Sequence, residues 1–278
     1  LDQTPFSGSQ GDAWIAGWSR SNMTPAEPAA LVGYAPRGKY EFVQDSSYVK
    51  ALTLSNGKTR IAWLNYELLI VHPTLAAQLQ SAIKEAKLPV DQVIFTATHT
   101  HSGMGGYMPG PMGEIAFGGF DQSIVDLIVS SSLSALQNAI ATQDTVSITY
   151  RKSDAGDLVA NRFVKDGPTD PYVRQLIFTK KSGKKATFLT YSAHATTMST
   201  KFMGLSGDYP FCHVRCRNCR KSPPAKTWKH ARTGRAIRTS AGFGAEPEDD
   251  LFCYGQKSPN QNWVLANHFA RTASESFR

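Results

Sequence analysis

Residues 48–98 read YVKALTLSNGKTRIAWLNYELLIVHPTLAAQLQSAIKEAKLPVDQVIFTAT. Two apolar runs, YVKALTL and RIAWLNYELLIV, flank SNGK. Asn56-Gly57 is a strong turn signal because both residue types tolerate positive φ. The pattern predicts a β-hairpin from about Tyr48 to Val71. After His72-Pro73, the apolar residues Leu75, Leu79 and Ile83 recur at helical spacing in TLAAQLQSAIKEAKL. QVIFTAT then reads as a buried strand. Strand, helix, strand at this spacing indicates an α/β layer.

The rest of the chain extends this pattern. A second helix is expected from Asp121 to Thr142, with Ile124, Leu127, Ile128, Leu136 and Ile140 as its apolar stripe and Asp121 as its cap. Three strands should follow, TVSITYR, RQLIFTK and ATFLTYS, the last two joined by a KKSGKK turn. No internal repeat and no low-complexity segment is visible. The expected fold is α/β, with mixed β-sheet layers and flanking helices.

The chain has 278 residues, 41% apolar and 19% charged, which is ordinary for a globular protein. That length suits one large domain or two small ones, at roughly 100–200 residues each. No run of 18 or more consecutive apolar residues suggests a membrane span. The chain opens on Leu1, not Met, which points to a start that has been removed, although no signal peptide is visible. The formal charge is +8, yet nine Lys and Arg residues fall between Arg215 and Arg238. Without them the chain is close to neutral. No nucleic acid partner is expected, because the basic charge is not spread over the fold.

Directly after the predicted third strand comes HTHSGMGGYMPG, which places His99 and His101 one residue apart before a glycine-rich turn. In a strand, residues i and i+2 face the same way, so both rings would share a face. Two imidazoles on one side suit a divalent metal, usually zinc. The bland alternative is a pair of polar residues at a strand end. His72, before Pro73, reads as structural. Asn22-Met23-Thr24 fits a glycosylation sequon, which matters only in a eukaryotic secretory route.

The segment ATHTHSGMGGY, Ala97 to Tyr107, resembles the histidine motif of the neutral, or non-lysosomal, ceramidases, with Met104 where that family usually has Pro. AGWSRSNMTP and VGYAPRG resemble the family's N-terminal strand and the turn after it. ANRF, with Asn161 and Arg162, resembles its Asn-Arg segment. TYSAHATTM, with His194 and Met198, resembles its second histidine segment, and LSGDYP the stretch that follows. The ordered matches run over about residues 13–210.

The resemblance implies a partial catalytic domain of the neutral ceramidase type. Such enzymes hydrolyse the N-acyl bond of ceramide, giving sphingosine and a fatty acid, and use one zinc ion. It further implies that His99 and His194 are zinc ligands, and that His101 and Arg162 line the site and orient the substrate or the developing oxyanion. Asn161 would contact substrate. Zinc polarises a carbonyl and lowers the pKa of bound water, which an amide substrate requires. A nearby cation stabilises the tetrahedral intermediate, and histidine suits proton delivery to the leaving amine. A ceramide-like lipid as substrate implies contact with a membrane surface, and the resemblance implies a secreted or periplasmic protein. The family draws a Glu and a Tyr ligand from further down the chain, and this sequence ends before a matching segment. The resemblance is therefore to a truncated form.

After Pro210 the composition changes. Residues 211–254 hold the basic cluster and the four cysteines Cys212, Cys216, Cys219 and Cys253, without helical or strand period. The C-x3-C-x2-C spacing occurs in radical enzymes with an iron–sulfur cluster, but only 59 residues follow Cys219. A zinc knuckle with His213 lacks a second regular pair. Two explanations stand: a shifted reading frame, or a basic insertion. Such a block buries little apolar area, so poor order is expected. From 255 to 278, GQKSPNQNWVLANHFARTASESF regains helical order and resembles the family's Ser-Pro-Asn segment and its helix, which makes Ser258 a candidate catalytic residue. The organisation expected is a ceramidase-like portion at 1–210, the anomalous block at 211–254, and the resumed pattern at 255–278. The alternatives are an inactive fragment of such an enzyme, a different His-x-His metal-dependent hydrolase, or a basic nucleic-acid binder.

Overall fold

The structure, a computed structural model, describes residues 2–5, 13–34, 37–212 and 263–267. The strands are β1 (Asp2–Pro5), β2 (Ile15–Asn22), β3 (Phe42–Val43), β4 (Tyr48–Ser55), β5 (Arg60–Tyr66), β6 (Gln92–Ala97), β7 (Asp144–Asp154), β8 (Tyr172–Lys180), β9 (Lys185–Thr190), β10 (Gly204–Leu205) and β11 (Trp263–Asn267). The helices are α1 (Pro73–Glu85), α2 (Pro111–Phe117), α3 (Gln122–Ala141) and α4 (Tyr209–Cys212), with a 3-10 turn at Gly156–Leu158. Ser258, most of 211–254 and most of 255–278 lie outside the described residues.

The hairpin forms as expected, in antiparallel register from Val49 opposite Tyr66 to Ser55 opposite Arg60. Its turn is longer than two residues. Only Gly57 takes positive φ, at 86°, while the Asn56 carboxamide oxygen accepts from the N–H groups of Lys58 and Thr59 at 3.1 and 2.9 Å. Asn56 thus contributes its side chain, not a left-handed backbone. The second strand stops at Tyr66, short of Val71, because Glu67 turns its carboxylate back under the sheet to the Tyr48 N–H and Lys50.

α1 begins where Pro73 fixes φ at the first turn, and the His72 ring accepts from the Thr74 N–H as its cap. Leu75, Leu79 and Ile83 are buried, which is the stripe expected. β6 then pairs parallel to β5, from Ile61 opposite Gln92 to Tyr66 opposite Ala97, completing the strand–helix–strand unit. α3 is capped by the Asp121 carboxylate, which accepts from the Ser123 N–H at 2.9 Å. It is long and apolar enough to cross a membrane, but Ile124, Ile128, Leu136 and Ala139 face the core instead. A Cβ at Gly17 would collide with the Ala139 carbonyl, so glycine lets α3 close on β2.

The strand order is β11-β9-β8-β7-β2-β4-β5-β6, with β1 also paired to β7. Most pairs are antiparallel; β5 with β6 and β9 with β11 are parallel, so the sheet is mixed. Within 255–278, where helical order was expected, Trp263–Asn267 extends the sheet along β9. One face packs under α1 and α3 around Leu64, Tyr66, Leu79 and Ile128. The other face curls onto itself. Trp18, Leu52 and Phe178 form its core, and Trp63 of β5 meets Phe188 of β9 with ring centroids 5.8 Å apart. This curl matters for the site, because it brings together the loops that follow β6 and β9, which are far apart along the sheet path.

Candidate metal centre

Regular pairing in β6 ends at Ala97, and one further bond joins the Thr98 N–H to the Tyr66 carbonyl. His99 then takes φ 61°, a left-handed conformation that costs a non-glycine residue energy. Two bonds hold it there. Its N–H donates to the Leu68 carbonyl at 3.1 Å, and its ring Nδ1 lies 2.7 Å from the Leu69 carbonyl. A carbonyl only accepts, so Nδ1 carries the proton and Nε2 keeps its lone pair, the tautomer a metal ligand needs. His99 and His101 do converge, but the left-handed turn brings them together, not the alternation of a strand.

The N–H of His101 donates to the Ala195 carbonyl at 3.2 Å, which ties the post-β6 loop to the post-β9 loop. His194 arrives on that second loop. The Nε2 atoms of His101 and His194 lie 2.6 Å apart, and the ring centroids of His99, His101 and His194 are 4.5–5.0 Å from one another. One ring nitrogen from each of the three falls within 4.8 Å of the others. Nitrogen ligands about 2.0–2.1 Å from a tetrahedral zinc are themselves roughly 3.3 Å apart. The three half-buried imidazoles are close enough for one divalent ion to draw on the cluster, and nitrogen donors are of the type zinc takes. The 2.6 Å between His101 and His194 is shorter than two ligands of one zinc would keep.

Burial, reinforced by the neighbouring His194 and His99, pulls the pKa of His101 down to about 4, so its ring is neutral near pH 7. The Gly33 backbone beside it opposes the shift, yet no well-aligned hydrogen bond reaches the buried Nδ1 of His101 among the described residues. Gly33 has φ 96°, and a Cβ there would sit 2.6 Å from both Cα and Cγ of His101. Only glycine fits this approach.

Charged residues that sequence reasoning missed brace each histidine. Arg37 donates to the carbonyls of His101, Val32 and Phe202 at 2.5, 2.7 and 3.0 Å, and lies over the Tyr34 ring. The Tyr34 hydroxyl donates to the Met198 carbonyl at 2.7 Å, and burial raises its pKa. Glu67, paired to Lys50 at 2.6 Å, precedes the two carbonyls that hold His99. Asp208 accepts from the Thr197 and Met198 N–H groups at 3.1 and 3.3 Å, just after His194. Arg37 and Asp208 stand in VGYAPRG and LSGDYP, where a lone charge among small and apolar residues was the available signal.

Asn161 and Arg162 sit on the loop after the 3-10 turn. The Asn161 side chain accepts from the Phe163 and Val164 N–H groups and donates to the Pro168 carbonyl. Arg162 is exposed, with its guanidinium 5.0 Å from the Phe163 ring centroid. The Asn161 hydrogen bonds and the Arg162–Phe163 contact all stay within this loop. The start of that loop, Leu158 and Val159, packs in one cluster with Tyr191, Ala193 and Tyr209 beside the His194 segment.

The coordinates thus define an α/β protein whose curled mixed sheet carries a three-imidazole, metal-type site on its connecting loops. Residues 14–210 match the family model for neutral/alkaline non-lysosomal ceramidase, N-terminal. The chain belongs to that family, and the resemblance and fold class expected from the sequence are borne out. Two solved structures are similar in fold. One is neutral ceramidase from Pseudomonas aeruginosa, at 20% identity and TM-score 0.63, covering 77% of this chain and 37% of that one. The other is described as ceramidase complexed with C2, at 20% identity and TM-score 0.61, covering 76% of this chain and 36% of that one. This chain therefore spans little more than a third of the length of either.

Proposed function

We propose that this chain is the histidine-bearing part of an amide hydrolase that cleaves ceramide or a related N-acyl lipid into sphingosine and fatty acid. The observation that carries this is the convergence of His99, His101 and His194 within 4.8 Å, in a chain of the ceramidase family. His99 and His194 would hold zinc through ring nitrogens. Zinc supplies Lewis acidity toward an amide carbonyl and makes water a better nucleophile at neutral pH.

The chain's own residues do the rest. The Leu69 carbonyl fixes the His99 tautomer. His101, kept neutral by burial, offers Nε2 as a hydrogen-bonding partner for the reacting group. Asn161 shapes the loop that carries Arg162, and Arg162 is proposed as the cation for a developing oxyanion. Ser258 is proposed as a further polar group of the site. A lipid substrate places this work at a membrane surface.

The test is release of labelled fatty acid from a short-chain ceramide, with zinc added and with zinc chelated. Zinc-dependent release that disappears in His194→Ala supports the proposal. Release that survives chelation or persists in His194→Ala contradicts it.

A further inference from the structure

We infer that Asp208 is a positioning residue, whose buried carboxylate fixes the His194 segment at a set distance from the His99–His101 segment. This goes beyond the proposed function but rests on the same histidine cluster. Asp208 is 0% exposed and holds φ 59°, a conformation that persists in a non-glycine residue only where its surroundings impose it. Its carboxylate accepts from the Thr197 N–H at 3.1 Å, the Met198 N–H at 3.3 Å, the Tyr209 N–H at 2.5 Å and the Thr197 hydroxyl. Three of these four donors belong to residues three and four places after His194. Bonds to an ionised acceptor are about twice as strong as neutral ones, and only a carboxylate offers two acceptor-only oxygens.

The other end of the same segment grips the first histidine pair. Asp208 donates its N–H to the Ser206 hydroxyl at 3.0 Å. Ser206 donates its N–H to the Ser102 carbonyl at 2.9 Å, and its own carbonyl accepts from the Thr100 hydroxyl at 2.8 Å. Thr100 lies between His99 and His101. Asp45 locks the middle, accepting from the Ser206 hydroxyl and the Gly207 N–H at 2.6 Å each. Ser206-Gly207-Asp208 is therefore a tie bar between the two histidine loops. The loops also meet directly, through the His101 N–H to Ala195 carbonyl bond and the close pair of ring nitrogens.

The test compares the purified chain with Asp208→Asn, and with Ile128→Val in the α3 core as a control for lost stability. Ring-nitrogen NMR of labelled histidine in metal-free protein is the deciding measurement. Asp208→Asn should shift the His194 and His101 ring signals, and should weaken zinc binding about ten- to a hundredfold. Ile128→Val should leave the ring signals in place. If Asp208→Asn does not fold, Thr197→Val removes one donor and should produce a smaller shift of the same kind. Unchanged ring signals in the folded variants overturn the inference. A wild-type chain that binds no zinc, with ring signals that still shift, overturns the metal reading and leaves the tie bar standing.

Discussion

Replacing Lys50 by Met should destabilise the protein by about 3–5 kcal/mol, the usual cost of removing one partner from a buried ion pair. The side chains of Lys50 and Glu67 are 7% and 1% exposed, and Nζ lies 2.6 Å from Oε1. Without Lys50, the Glu67 carboxylate keeps the Tyr48 N–H at 2.8 Å as its side-chain donor but loses its cation. At roughly 2–4 °C per kcal/mol for a chain near this size, the melting point should fall by about 6–20 °C. The site should suffer as well. Glu67 anchors the turn whose next two carbonyls receive the N–H and Nδ1 of His99. Adding Glu67→Gln removes the stranded charge and keeps an oxygen for the Tyr48 N–H, so the double variant should regain more than half of the loss. Thermal and urea unfolding of the four proteins measures this. A Lys50→Met variant within about 1 kcal/mol of wild type, as expected for an exposed pair, would refute the reasoning.

Gly33→Ala places a methyl 2.6 Å from His101 at φ 96° and should cost roughly 2 kcal/mol or more. It should also weaken zinc binding, and unchanged unfolding together with unchanged binding would contradict it. Asp45 is held up to about 6, from an ordinary 3.8, chiefly by burial. The native state therefore keeps a proton that the unfolded chain releases, so this contribution is full below about pH 4 and lost as pH rises through 6. Relative to Asp45→Asn, wild type should gain about 2 kcal/mol between pH 7 and pH 4, and a flat difference in unfolding free energy across that window would count against it.

Much of the fold was legible because local pattern and tertiary demand agree. Leu75, Leu79 and Ile83 stripe α1 and are buried there, and Asp121 caps α3. The end of β5 was not legible, since Glu67-Leu68-Leu69 continues an apolar run until Glu67 finds Lys50 across the hairpin. Nor was the curl of the sheet, which depends on Trp63 meeting Phe188 across 125 positions of chain. Of the site, the His99–His101 pair stood out by spacing. His194 needed the family resemblance, because a lone histidine in SAHATTM carries no local signal. Arg37 and Asp208 act through backbone carbonyls and N–H groups of distant loops, contacts that no sequence pattern encodes. Trp263–Asn267 adds to β9 as a strand where its helical period suggested otherwise, an instance of sheet-edge pairing overriding local preference.

The proposed mechanism depends on His99 and His194 holding one metal ion beside His101. Zinc titration into metal-free protein, followed by calorimetry, is the deciding measurement. One weak zinc site per chain is expected in the wild type, because two of the family's four ligands are not among these residues, with its affinity lost in His99→Ala and in His194→Ala while both variants stay folded. Tight, stoichiometric zinc retained by both variants would contradict the account.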